Sequence, residues 1–118
     1  MKYMLLICRD EPAWDRLSAA ERQRIYDDSV KLADELTARG QYLGGSPLAP
    51  SSSATSVRVR DGKRLVTDGP FAETREQLGG YMIVEVRDVD EAVDIAARIP
   101  LARTSTVEVR LLREGPPA

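Results

Sequence analysis

VRVRDGKRLVTDGPFAETREQLGGY, residues 57–81, joins a hairpin turn, a rigid corner, a charge cluster and a glycine pair in one continuous segment. Val57 and Val59 alternate with Arg58 and Arg60, and a second run, Lys63 to Thr67, follows Asp61-Gly62. Asp-Gly between two alternating runs predicts a β-hairpin, because both central residues of a type I′ turn need positive φ. The arginines of that hairpin are expected to face solvent or a groove. Asp68-Gly69-Pro70-Phe71 then makes a corner. Asp68 can accept from amides just ahead in an Asx turn, Gly69 takes conformations denied to other residues, Pro70 fixes φ, and Phe71 is expected to anchor the corner in the core. Gly79-Gly80 leads into a strand expected over Tyr81 to Val86.

Upstream, residues 2–8, KYMLLIC, form a short apolar run that stops at Asp10-Glu11-Pro12. Neither alternate set is polar, so the run predicts a strand buried on both faces, with Tyr3, Leu5 and Ile7 on one side and Met4, Leu6 and Cys8 on the other. Cys8 reads there as a small apolar residue rather than a nucleophile. Ser18 with Glu21 is a capping box, and Ile25, Ser29, Leu32, Ala33 and Leu36 then recur at helical spacing as far as a glycine stop at Gly40. The charges on that helix's outer face read as a solvated surface. Trp14, before the cap, reads as a lid at the core edge or the wall of a pocket. Gln41 to Gly45 is a short strand, and Ser46 to Thr55 reads as a mobile surface connection.

Downstream, Asp88 with Glu91 caps a second helix whose apolar stripe is expected to be Val89, Ala92, Val93, Ala96 and Ile99, ended by Pro100. Thr106 to Leu112 alternates as a half-buried strand. The order strand, helix, strand, hairpin, strand, helix, strand predicts an α+β fold: a ferredoxin-like sandwich with an inserted β-hairpin, in one domain over residues 1–112 with a disordered tail at 113–118. Two helices cover one sheet face only. A first strand apolar on both sides therefore predicts a homodimer packed through the other face.

Composition closes off several kinds of chemistry. Among 118 residues there is no histidine, which excludes Ser-His-Asp and Cys-His nucleophile activation and histidine metal sites. A net charge of −2, with 17 basic residues interspersed among 19 acidic ones, argues against a nucleic-acid partner. A single cysteine requires no oxidising compartment, and the apolar N-terminal run is too short to be a signal peptide or to span a membrane. The expected location is cytoplasmic. No nucleotide motif and no metal-ligand spacing is present, so no cofactor is indicated.

The remaining candidates for chemistry stand beside the corner. Asp68 and Glu73 are the candidate catalytic carboxylates, while Arg75 and Tyr81 are candidate ligand-binding residues. Turn-rich segments carry such residues for stability alone as well, and Asp68 in particular has a purely structural reading.

MKYMLLI at residues 1–7, GGSPL at 44–48, VTDGPFAETREQLGGY at 66–81, DEA at 90–92, Ile99-Pro100 and VEVR at 107–110 closely resemble the YCII-related family, in particular its branch marked by the Asp-Gly-Pro-Phe motif. The resemblance implies a ferredoxin-like fold assembled as a dimeric α+β barrel, related in shape to muconolactone-isomerase-like enzymes. Most members have no assigned reaction. Some relatives use a histidine and aspartate pair as acid and base, a mechanism that does not carry over to a chain without histidine. Members of the branch tend to be encoded near extracytoplasmic-function sigma factors, which implies a part in signalling. Three functions follow as expectations. The first is binding of a small polar molecule in a cleft beside the corner, with a regulatory use. The second is an isomerase or lyase with Asp68 or Glu73 as general base and Arg75 holding an anion. The third is an interaction module linked to a sigma factor.

Overall fold

The computed structural model describes residues 1–116. Strand β1 (Lys2–Asp10) leads through a short helix α1 (Glu11–Asp15) into the long helix α2 (Ala19–Ala38). Strand β2 (Tyr42–Pro47), the hairpin strands β3 (Thr55–Arg60) and β4 (Lys63–Asp68), strand β5 (Glu76–Glu85), helix α3 (Val89–Arg98) and strand β6 (Val107–Leu111) complete the order. Short 3₁₀ turns occupy Ser51–Ser53 and Pro100–Arg103.

Four strands form one antiparallel sheet in the order β2-β5-β1-β6, and β3-β4 stand apart as a two-stranded ribbon. This mixed α+β arrangement is compatible with a ferredoxin-like fold carrying a hairpin between its second and third sheet strands. Both capping residues do what their spacing predicts. Ser18 accepts from the Glu21 amide while Glu21 reaches back, and Asp88 accepts from the Glu91 amide. The hairpin turns on Asp61 and Gly62 at φ 52° and 71°, the pair of positive values that a type I′ turn requires.

Both helices pack on one sheet face. Tyr3 and Leu5 of β1 stand beside Val84 and Met82 of β5, and Leu32, Leu36, Ala92, Ile95, Ala96 and Ile99 close over them in a single core. Two expected stripes differ. Val89 and Val93 are each 48% exposed, because α3 presents Ile95 to the core and the stripe is rotated by one residue step. On α2 the burial is confined to Leu32 and Leu36, with Ile25, Ser29 and Ala33 only half-buried.

The opposite sheet face is open in the single chain. Met4, Leu6, Cys8, Tyr81 and Ile83 are half-buried and Leu78 is exposed, so β1 is buried on its helix side alone. The hairpin projects rather than covering that face. The radius of gyration is 16.2 Å, against about 13.5 Å for a compact domain of this length, and the thinnest extent is 18 Å.

Three further differences concern boundaries. Strand β5 begins at Glu76, so Gly79 and Gly80 lie inside it rather than before it. Helix α1 was not expected, although Asp10 caps it by accepting from Ala13 at 3.0 Å and Pro12 sits in its first turn, where a missing N–H costs nothing. The connection after Pro47 is tied down, since Glu11 accepts from the Ser51 amide at 3.0 Å and from the Ser51 hydroxyl. Beyond Leu112, residues 113–116 have no helix or strand and are exposed; the last two residues of the expected tail, 117–118, lie outside the described residues. Among the described residues no helix is long and apolar enough to cross a membrane.

Candidate functional site

The structure does not bring the four expected site residues together. Asp68 ends β4, exposed, and among the described residues its carboxylate accepts no hydrogen bond, so it makes no Asx turn with the amides just ahead. The corner is held instead by the Gly69 amide donating to Ala54 O at 2.7 Å and by the Ser56 hydroxyl donating to Gly69 O at 2.8 Å. Phe71 is 84% exposed rather than anchored in the core, because the corner lies at the base of the projecting ribbon, off the helix-covered sheet face. Glu73 is exposed, with no ion-pair partner among the described residues. In a single chain both carboxylates stand in water.

Arg75 is engaged structurally. It pairs with Asp10, whose other carboxylate oxygen caps α1. The Arg75 hydrogen bond, followed by the Ala13 amide, holds the Asp10 carboxyl below its ordinary range. Tyr81 lies opposite Leu6 in the β1-β5 register, on the sheet face turned away from the helices, and also contributes to the lining of the space between α2 and the sheet. No hydrogen bond or ion pair joins any two of the four. A depression of about 310 Å³ beside the corner is lined by Ser56, Arg58, Leu65, Thr67, Pro70 and Phe71, and contains none of them.

A larger cavity, about 590 Å³, opens between α2 and strands β1, β2 and β5. Its origin is local. Helix α2 is seated by Leu32 and Leu36 near its C-terminal half, and its N-terminal half stands over a floor that contains glycines. The register sets Gly45 opposite Met82 and Gly80 opposite both Ile7 and Pro47. A Cβ on Gly45 would stand 2.7 Å from Tyr81 O and 2.8 Å from the Tyr42 hydroxyl, so no side chain can fill that part of the floor.

Arg9 forms the cavity's charged end. Successive inward positions of β1 are Tyr3, Leu5, Ile7 and then Arg9, which is only 8% exposed and is the one buried charged residue among those described. The register slips between Ile7 and Cys8, and the Arg9 stem lies in the slot left by Gly79, where a Cβ would meet its Cγ and Cδ at 3.0 Å. Its guanidinium stands 4.9 Å from the Trp14 ring centroid, a cation–π distance. Polar partners are scarce: Nη2 reaches Leu48 O at 3.5 Å, and the buried Nε has none. No carboxylate pairs with it among the described residues. Nearby Glu11 is committed to Ser51, whose hydroxyl and then amide lower the Glu11 pKa.

Trp14 is the pocket wall of its second sequence reading. Arg22 of α2 lies 5.8 Å from the same ring and donates to Trp14 O at 3.2 Å and Asp15 O at 3.0 Å, fixing α1 against α2. Sequence reasoning stopped β1 at Cys8. Carrying the alternation one residue pair further would have put Arg9 on the core side.

The cavity holds no activated nucleophile. Cys8 sits on the other sheet face, its thiol pKa raised by burial and then by Glu76 and Glu108. Among the described residues no group of three or more His, Cys, Asp and Glu could hold a metal ion.

Comparison with known proteins gives a match to the YCII-related domain over residues 1–115. The chain is also 34% identical over 114 residues to an uncharacterised protein of Rhizobium meliloti (strain 1021), an overlap covering 95% of this chain and 92% of that protein.

Proposed function

Starting from a chain that belongs to the YCII-related family, we propose that it is a small-molecule-binding protein whose ligand occupies the cavity between α2 and the sheet. The observation that carries this reading is the cavity itself. Its volume of about 590 Å³ falls within the range of ligand pockets, roughly 300–1,000 Å³, and its glycine-bearing floor is set by strand register rather than by a loose loop. The reading moves the ligand away from the Asp-Gly-Pro-Phe corner, the motif on which the finer assignment to that branch of the family rests. An isomerase or lyase would need a desolvated carboxylate, and no Asp or Glu lines the cavity.

The test is a thermal-shift screen against small metabolites, repeated on Ser29→Leu, which fills the cavity from α2. A true ligand raises Tm in the wild type, since binding the native state at a hundredfold excess over Kd adds about 2.7 kcal/mol, and leaves Ser29→Leu unmoved. A flat screen, or a ligand that stabilises both proteins equally, contradicts the reading.

The homodimer belongs to the same proposal. Met4, Leu6, Tyr81 and Ile83 form an apolar sheet face with no cover, and Val57, Val59, Val66 and Phe71 stand exposed on the hairpin and its corner. A second copy packed sheet to sheet, in the manner of a dimeric α+β barrel, would remove both from water, which is favourable, and stable interfaces bury about 1,200–2,000 Å². Light scattering is expected to give twice the chain mass, and Leu6→Glu with Ile83→Glu is expected to give a monomer. A monomeric wild type at micromolar concentration overturns the dimer and leaves the cavity reading intact.

A further inference from the structure

We infer that the cavity takes an organic anion, a small monocarboxylate with an apolar body, whose head group is held at the Arg9 end. This rests on the cavity being the ligand site and names the chemical class that site selects. Arg9 and Arg22 are the charged residues lining the cavity, and no Asp or Glu does, in a chain that has more acidic than basic residues overall. Four arginines on the surface pair with carboxylates, Arg75 with Asp10, Arg87 with Glu91, Arg98 with Glu35 and Arg110 with Glu108, and other exposed arginines are solvated. Arg9, the most buried charge, has no carboxylate partner among the described residues.

An arginine has five N–H donors and cannot shed its charge in a protein. The protein itself offers Arg9 a single long contact, from Nη2 to Leu48 O, and its Nε is buried without a partner among the described residues. Burying a cation this way is unfavourable unless an anion completes it. The Trp14 ring offsets part of that cost, but a ring face supplies no hydrogen-bond acceptor in the guanidinium plane. A planar carboxylate supplies two. Beyond Arg9 the lining is mostly apolar, with Ile7, Ile25, Ala33, Met82 and Ile99, while the Arg22 guanidinium is already engaged with Trp14 O and Asp15 O. That surface suits a hydrocarbon or aromatic body better than a second charge, which separates a monocarboxylate from a phosphate or a diacid.

Arg9 is therefore a binding residue whose buried charge the protein's own side chains leave without a counter-ion. Arg9→Met keeps a stem of similar length in the Gly79 slot and removes the unpaired charge, so the unliganded variant is expected to melt no lower than the wild type. A purely structural arginine would instead lower Tm on removal.

The experiment is calorimetric titration of the full chain with aryl-alkanoates and linear alkanoates of two to ten carbons, each beside its neutral primary amide. In the wild type the best acid is expected to bind about 10- to 100-fold tighter than its amide, the ratio that a charge-assisted hydrogen bond provides. In Arg9→Met the preference is expected to vanish while amide affinity stays within about threefold; in Arg9→Lys, which keeps the charge without the planar fork, it is expected to fall but persist. Equal binding of acids and amides to the wild type overturns the anion assignment and leaves the cavity reading standing. Preference undiminished in Arg9→Met overturns the assignment of the head group to Arg9. Binding of neither series overturns both.

Discussion

The corner and the cavity make opposite use of their sequences. In the corner, Asp68, Gly69, Pro70, Phe71, Glu73 and Arg75 follow within eight positions; the side chains of Asp68, Phe71 and Glu73 end up exposed, and Arg75 is clipped to the cap of α1. The cavity draws Arg9, Trp14, Gly45 and Gly80 from segments some seventy residues apart and sets them together by strand register. Charged residues crowded in sequence compete for the same water, whereas a buried site is assembled from positions that share one face of a sheet.

Substitutions can break or sharpen this contrast. The largest effect is expected at Leu36→Ala. Leu36 is fully buried and seats α2 on the sheet, so its loss should cost about 2–5 kcal/mol in urea unfolding and loosen the cavity roof with it. Gly79→Ala comes next: the new Cβ would press on the Arg9 stem at 3.0 Å, and a loss of about 1–3 kcal/mol is expected together with a weakened preference for acids over amides. If Gly79→Ala is neutral on both counts, the Arg9 slot is not a fitted one.

How much could be read beforehand follows the same division. Local chemistry was legible: the Ser18 capping box, the Asp88 cap, the Asp-Gly hairpin and the alternation of β6 all describe patterns set within a few residues of each other. The rotated stripe of α3 was not, because Val89 and Val93 differ from Ile95 only in which way the helix is turned, and the sheet decides that. Gly79-Gly80 reads locally as a loop, yet pairing with β1 and β2 carries the strand through it. Arg9 was passed over because a charge at the end of an apolar run looks like the start of a loop.

The acid limb tests the structural role of Arg75. Asp10, Glu11, Glu21 and Glu35 all have carboxyls held below their ordinary values by hydrogen bonds or arginine partners. Groups of that kind contribute stability above their unfolded pKa, near 4, and lose it as pH falls through the lowered folded value. Tm is therefore expected to stay level from about pH 8 to 5 and fall below about pH 4. Arg75→Ala removes the chief cause of the Asp10 shift, so the variant is expected to be slightly less stable than the wild type at neutral pH, as the loss of an exposed pair allows, with the difference closing as pH falls below about 4. The smallest effects belong to the corner. Asp68→Asn and Glu73→Gln are expected to change stability by no more than about 0.5 kcal/mol, as solvated surface groups do.

Trp14, the chain's one tryptophan, lines the cavity against Arg9 and so reports on its occupancy directly. Titrating the tightest carboxylate while following Trp14 fluorescence in the wild type, Arg9→Met and the double variant Asp68→Asn, Glu73→Gln compares the two regions in one measurement. A saturable change is expected in the wild type and, at the same midpoint, in the double variant, with Arg9→Met shifted at least about tenfold weaker. A midpoint that moves in the double variant and holds in Arg9→Met would put the ligand at the corner and contradict the account.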